Sequence, residues 1–122
     1  MSRKINNSGI ALIKEFEGVK LDAYQEMSRT VEVIFRELGA TDYVECVGDD
    51  VPYGTLTSFP RAVQAKEDEV VVFAWVVYPD RETRDACNSK SMEDPRMKRW
   101  ENAIPFDGKR MIFGGFKPFQ GL

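Results

Sequence analysis

Histidine is absent from the 122 residues. That one absence excludes histidine metal sites, a histidine-ligated haem, Ser-His-Asp and Cys-His nucleophile systems, and a histidine general base. Cysteine is scarce: Cys46 and Cys87 are too few for a disulfide framework and suit a reducing cytoplasm. Positive charge is not in excess. Against 17 Lys and Arg stand 20 Asp and Glu, a formal net charge of -3, so no nucleic-acid partner is expected. Long apolar runs are missing as well. The longest, residues 70–78, is less than half a membrane span, and the stretch 10–13 is shorter than a signal-peptide core. A cytoplasmic protein with no membrane partner is the expectation. What the chain does contain is 43% hydrophobic and 11% aromatic residues, enough for one packed core and a single domain over 1–122.

Local pattern sets out the elements. Asn6, Asn7 and Ser8 are N-cap candidates, Ile10, Ile13 and Phe16 recur at helical spacing, and Gly18 is a natural stop, so residues 5–18 read as a helix. The alternative is a strand over 10–16. Residues 21–38 form a firmer helix, with Tyr24, Met27, Val31, Ile34, Phe35 and Leu38 in one stripe and Gly39 behind it. A short strand is predicted at 43–47, then a turn, then a loop with one helical turn around Pro60 at 55–65. Residues 70–78 are β-branched and aromatic and end at Pro79, which marks a strand. Asp80 is suited to cap a helix over 81–91, and Pro95 to open a shorter one carrying Met97 and Trp100. A final strand is expected at 110–113, with Gly114-Gly115 bending the chain away.

The strand 70–78 is apolar on both faces. Val70, Val72, Ala74, Val76 and Tyr78 alternate with Val71, Phe73, Trp75 and Val77. Leaving several large side chains in water forfeits about 1.5–3 kcal/mol each, against a net domain stability of roughly 5–15 kcal/mol. Helices of the same chain can cover one face. A second copy is the expected cover for the other, through Val71, Phe73, Trp75 and Val77, and a homodimer follows. The alternative is self-coverage by Phe59, Phe116 and Phe119.

Several strings together carry a resemblance. They are Leu21-Asp22-Ala23-Tyr24, Glu45-Cys46-Val47-Gly48-Asp49-Asp50-Val51-Pro52, Ser58-Phe59-Pro60-Arg61-Ala62-Val63, residues 69–79, Asp94-Pro95-Arg96-Met97-Lys98, and residues 105–116. Over about 21–116 the chain resembles the YbaA-like bacterial domain-of-unknown-function family of the dimeric α/β-barrel superfamily. The resemblance implies an α+β fold: a ferredoxin-like antiparallel sheet with helices on one face, paired sheet to sheet with a second subunit. It implies no reaction. Residues 1–20 depart from the family pattern, and 5–18 resemble the opening helix of phage-type lysozymes, in which Glu17 would take the place of the catalytic acid. At the positions of that enzyme's partner aspartate and threonine stand Glu26 and Glu32, and the rest of the lysozyme domain is missing. One helix provides no cleft for two carboxylates, so no glycoside hydrolysis is expected. The family template asks for a strand at the start of the chain and the local pattern for a helix. The expectation is that a helix replaces the first strand.

Few constellations point to chemistry. Asp49-Asp50 reads as a solvated turn, the charged run 66–69 as a hairpin-like turn protecting the start of the apolar strand, and Cys46 and Cys87 as buried, inert thiols. Asp107-Gly108-Lys109-Arg110 is the most suggestive: Lys109 and Arg110 at the start of a strand suit the carboxylate or phosphate of a small ligand. Equally open is a turn in which Asp107 caps its own backbone and Arg110 pairs with an acid. The expected function is a homodimer binding a small, partly apolar molecule between sheet and helices. Trp75, Arg61, Lys109, Arg110 and Asp107 are the candidate contacts, and no catalytic residue, metal or cofactor is assigned. A cofactor-free monooxygenase- or isomerase-type enzyme and an interaction module without a ligand are the alternatives.

Overall fold

The structure is a computed structural model and describes residues 4–14, 19–102 and 104–121. It is an α+β chain built on a small antiparallel sheet. In chain order come β1 (Lys4–Lys14), α1 (Val19–Glu37), β2 (Asp42–Val47), α2 (Phe59–Ala62), β3 (Glu69–Tyr78), α3 (Arg81–Ser91), 3-10 turns at Pro95–Trp100 and Gly108–Arg110, and β4 (Ile112–Phe116). The strand order is β2-β3-β1-β4, and every neighbouring pair is antiparallel.

The N-terminal expectation is corrected. Residues 4–14 are a strand, not a helix, and they lie at the centre of the sheet. Helical spacing of Ile10 and Ile13 is weak beside what pairing provides: β1 runs along β3 from Lys4 opposite Tyr78 to Lys14 opposite Glu69, and takes β4 on its other edge. A short apolar run fits a strand bonded on both sides as well as a helix, and here the distant partners decide. The likeness of 5–18 to a lysozyme helix falls with this strand, and Glu17 lies outside the described residues. The last strand is also corrected. It passes through Gly114-Gly115 to Phe116, and Arg110 precedes it in a 3-10 turn.

Elsewhere local signals hold. Asp80 accepts the Thr83 N–H at 2.7 Å and caps α3, and Ser58 accepts the Arg61 N–H at 3.2 Å and caps α2. Helix α1 ends at Gly39, whose φ of +110° favours glycine and whose missing Cβ would stand 2.5 Å from Thr83 Cγ2.

The core lies between the helices and one face of β3. Val72 packs with Leu21, Tyr24 and Phe106, while Val76 and Tyr78 pack with Phe35, Leu38, Tyr43 and Cys87. On the opposite face Val71 is buried under Val63 and Ala65, and Val77 is buried. Phe73 keeps 37% of its surface exposed, although the Phe59 ring meets it edge-on at 5.9 Å. Self-coverage by the tail does not occur, because Phe116 is 61% and Phe119 97% exposed. Among the described residues no helix is long and apolar enough to cross a membrane.

Candidate functional site

The expected contacts fall in separate places. Arg110 leaves its 3-10 turn to grip Glu69 with two parallel bonds, Nη1 to Oε1 at 2.9 Å and Nη2 to Oε2 at 2.7 Å. Its Nε donates to Asp107 Oδ2 at 2.8 Å, and Nη1 also reaches the Gln64 carbonyl at 2.9 Å. Asp107 turns its other oxygen to the Lys109 N–H at 3.0 Å. The Glu69 side chain has no exposed surface and accepts the Lys66 N–H at 2.8 Å as well. The hydrogen bonds from Arg110 hold the carboxyls of Glu69 and Asp107 below the usual carboxylate range. The charged turn 66–69 leads into β3 as expected, and its last residue also joins β3 to the turn before β4.

Arg61 is engaged elsewhere. Its Nε donates to the Tyr53 carbonyl at 3.0 Å, its Nη2 to the Gly54 carbonyl at 3.1 Å, and the guanidinium lies 3.9 Å from the centre of the Tyr53 ring. Trp75 is half-buried on the face of β3 turned from the helices, and its ring neighbour is Phe73 at 5.9 Å. Lys109 is exposed. Cys46 is also exposed, contrary to expectation, because β2 is an edge strand and Cys46 stands opposite Phe73 on the open face. Together with Phe59, Val71 and the turn at Asp49, Cys46 and Phe73 border an open depression of about 210 Å³. Cys87 is buried, as expected. Burial pushes its thiol up, and it accepts from the Tyr78 hydroxyl at 3.7 Å.

A polar centre that the sequence reading missed lies between α1 and the sheet. Tyr43 and Glu45 alternate onto the helix-covered side of β2, opposite Val76 and Ala74. Tyr24 and Ser28, four residues apart, share one face of α1 above them. The Tyr24 hydroxyl donates to Glu45 Oε1, and the Ser28 hydroxyl donates to Oε2. The Tyr43 hydroxyl donates to the same Oε2 at 2.7 Å. Burial, and then the charge of Glu45, drive both phenols far above their usual range, so they stay protonated and act as donors. Phe106 meets Tyr24 edge-on at 5.7 Å, and Phe35 meets Tyr43 edge-on at 5.8 Å. Glu45 itself is half-buried, and among the described residues from Leu21 onward no Lys or Arg pairs with it. The spacing Tyr24–Ser28 and the alternation Tyr43–Glu45 were the available signals. Each looks ordinary alone, and only the crossing of α1 over β2 joins them.

Residues 13–108 match the family described as "Protein of unknown function (DUF1428)". The chain belongs to that family. The DUF1428 match includes Tyr24, Ser28, Tyr43, Glu45 and Glu69 and ends before Arg110. The chain is similar to the "Uncharacterized protein YbaA" of Escherichia coli strain K12, 54% identical over 98 residues, covering 80% of this chain and 84% of that one. The protein of the same description from Shigella flexneri matches with the same identity and coverage. Among solved structures, an amidase of the hydantoinase/carbamoylase family from Burkholderia phymatum superposes with a TM-score of 0.46 at 12% identity, over 98% of this chain and 29% of its own. A putative amidohydrolase/peptidase from Burkholderia cenocepacia gives 0.46 at 13% identity, over 95% and 28%. This DUF1428 chain thus spans less than a third of either structure's length.

Proposed function

We propose that the protein is a cytoplasmic homodimer joined through the open face of its sheet, each subunit binding a small, partly apolar molecule between α1 and the sheet. The observation that carries the binding reading is Glu45, a half-buried carboxylate met by three hydroxyls and by no cation among the described residues. Small-molecule sites combine apolar walls with a few convergent polar groups. Here the walls are Phe35, Phe106 and the two phenol rings. Two features support the dimer. Strand order β2-β3-β1-β4, with a helix after β1 and another after β3, supports reading the subunit as ferredoxin-like, of the kind that pairs sheet to sheet. The face bearing Phe73 also carries Ile112, 45% exposed, across Ile10 in the register. In this reading Val71, Phe73, Trp75 and Val77 belong to the subunit interface. Arg61, Lys109, Arg110 and Asp107 rank behind Glu45 as ligand contacts, since Arg110 and Asp107 are committed to Glu69 and to each other.

Sedimentation of the full chain tests the assembly: a dimer at micromolar concentration is expected, and Trp75→Asp dissociates or unfolds it. A monomeric wild type overturns this part. Titration with 2-phenylethanol and 2-phenylethylammonium chloride, each an apolar ring with one polar group, tests the site. Saturable NMR shifts at Tyr24, Ser28, Tyr43 and Glu45 are expected, and their absence with both leaves the interaction module without a ligand as the better reading.

A second reading, cofactor-free proton transfer of the isomerase type, is favoured by the same centre, where one carboxylate acceptor sits among hydroxyl donors. It requires that the wild type accelerate exchange of the α-hydrogens of 2-tetralone in D2O and that Glu45→Gln does not.

A further inference from the structure

We infer that the natural ligand of the Glu45 centre is a small organic cation, an ammonium group on an apolar body, whose charge completes the carboxylate. This deepens the binding reading above and rests on it. Anions removed from water are ordinarily paired, because an uncompensated charge in a low-dielectric setting is costly. The molecule contains its own reference for that rule: Glu69 is buried, and Arg110 meets it with two parallel bonds. Among the described residues Glu45 meets hydroxyls and no cation. Three neutral donors fix the orientation of the carboxylate, yet they add no opposite charge.

The stereochemistry leaves room for one more donor. A carboxylate offers about four lone-pair positions, and Tyr24, Ser28 and Tyr43 take three. Glu45 is half-buried, not enclosed, and the ammonium takes that remaining position. An ammonium at that position suits the site better than a neutral hydroxyl, because it brings the opposite charge that the three hydroxyls do not. An anionic ligand is excluded by the same geometry, since the hydroxyl donors are already turned to Glu45 and a second negative charge beside it would be repelled.

A matched pair of probes separates the charge from the apolar body. The full chain is titrated at pH 7 with 2-phenylethylammonium chloride and, in parallel, with 2-phenylethanol. The ammonium is expected to bind at least tenfold more tightly, with the preference shrinking as salt is raised. In Glu45→Gln the two affinities converge. Equal affinities for the two probes in the wild type overturn the cation and leave the apolar binding site standing. A tenfold preference that survives in Glu45→Gln overturns the assignment to this carboxylate. If neither probe binds, the binding reading fails and the inference with it. The wild-type comparison decides the charge question even if Glu45→Gln does not fold.

Discussion

Two glutamates on neighbouring strands meet opposite treatment. Glu69, at the start of β3, is enclosed and clamped by a guanidinium, with a backbone N–H added. Glu45, on β2, is half-buried and held by two phenols and a serine. The first arrangement saturates its carboxylate with charge-assisted bonds from Arg110, a residue 41 positions away that is itself tied to Asp107 and Gln64. It joins the start of β3 to the turn before β4 and leaves nothing over for a ligand. The second gives its carboxylate neutral donors and, among the described residues, no cation. The contrast is between a carboxylate committed to a structural clamp and one that the proposed function assigns to a ligand.

The largest effect expected on this contrast comes from Arg110→Ala, which strands Glu69 in the interior. Urea denaturation should show a loss of about 3 kcal/mol, the low end for breaking a buried pair. A loss below about 1 kcal/mol would place Glu69 with the surface ion pairs. Acid gives the next test. The carboxyls of Glu69 and Asp107 are depressed in the folded state, so their contribution is complete above the unfolded values of roughly 4 and is lost as pH falls through the lower folded ones. Melting temperature should therefore drop below about pH 4, and drop less steeply in Arg110→Ala. Tyr43→Phe removes one donor to the Glu45 carboxylate and should cost about 1.5 kcal/mol by the same denaturation. The smallest change is expected of Lys109→Ala. Its side chain is exposed, and the melting curve should stay within about 0.5 kcal/mol of the wild type.

Much of the architecture can be read from nearby residues. Helix α1 follows from its apolar stripe, α3 from Asp80, and β3 from its β-branched run closed by Pro79. The family resemblance is also sound, and its demand for a strand at the start of the chain was the better guide than local spacing. β1 shows why. Its partners are β3 and β4, both from the far half of the chain, and no window of ten or fifteen residues contains them. The same distance hides the polar centre. Tyr24 looks like one more member of an apolar stripe and Glu45 like a solvated strand residue until α1 is laid across β2. For Arg110, the turn with Asp107 was legible as one of two readings, but Glu69 as its main partner was not.

The central position of β1 has a consequence for synthesis. It emerges from the ribosome before either of the strands that flank it, and more than fifty residues must follow Lys14 before Glu69 can come alongside. At about 5–20 residues per second the nascent chain carries an unzipped middle strand for several seconds. Hairpin formation between neighbouring segments cannot relieve that wait, so sheet assembly belongs to the last stage of translation, when β4 arrives to close the remaining edge.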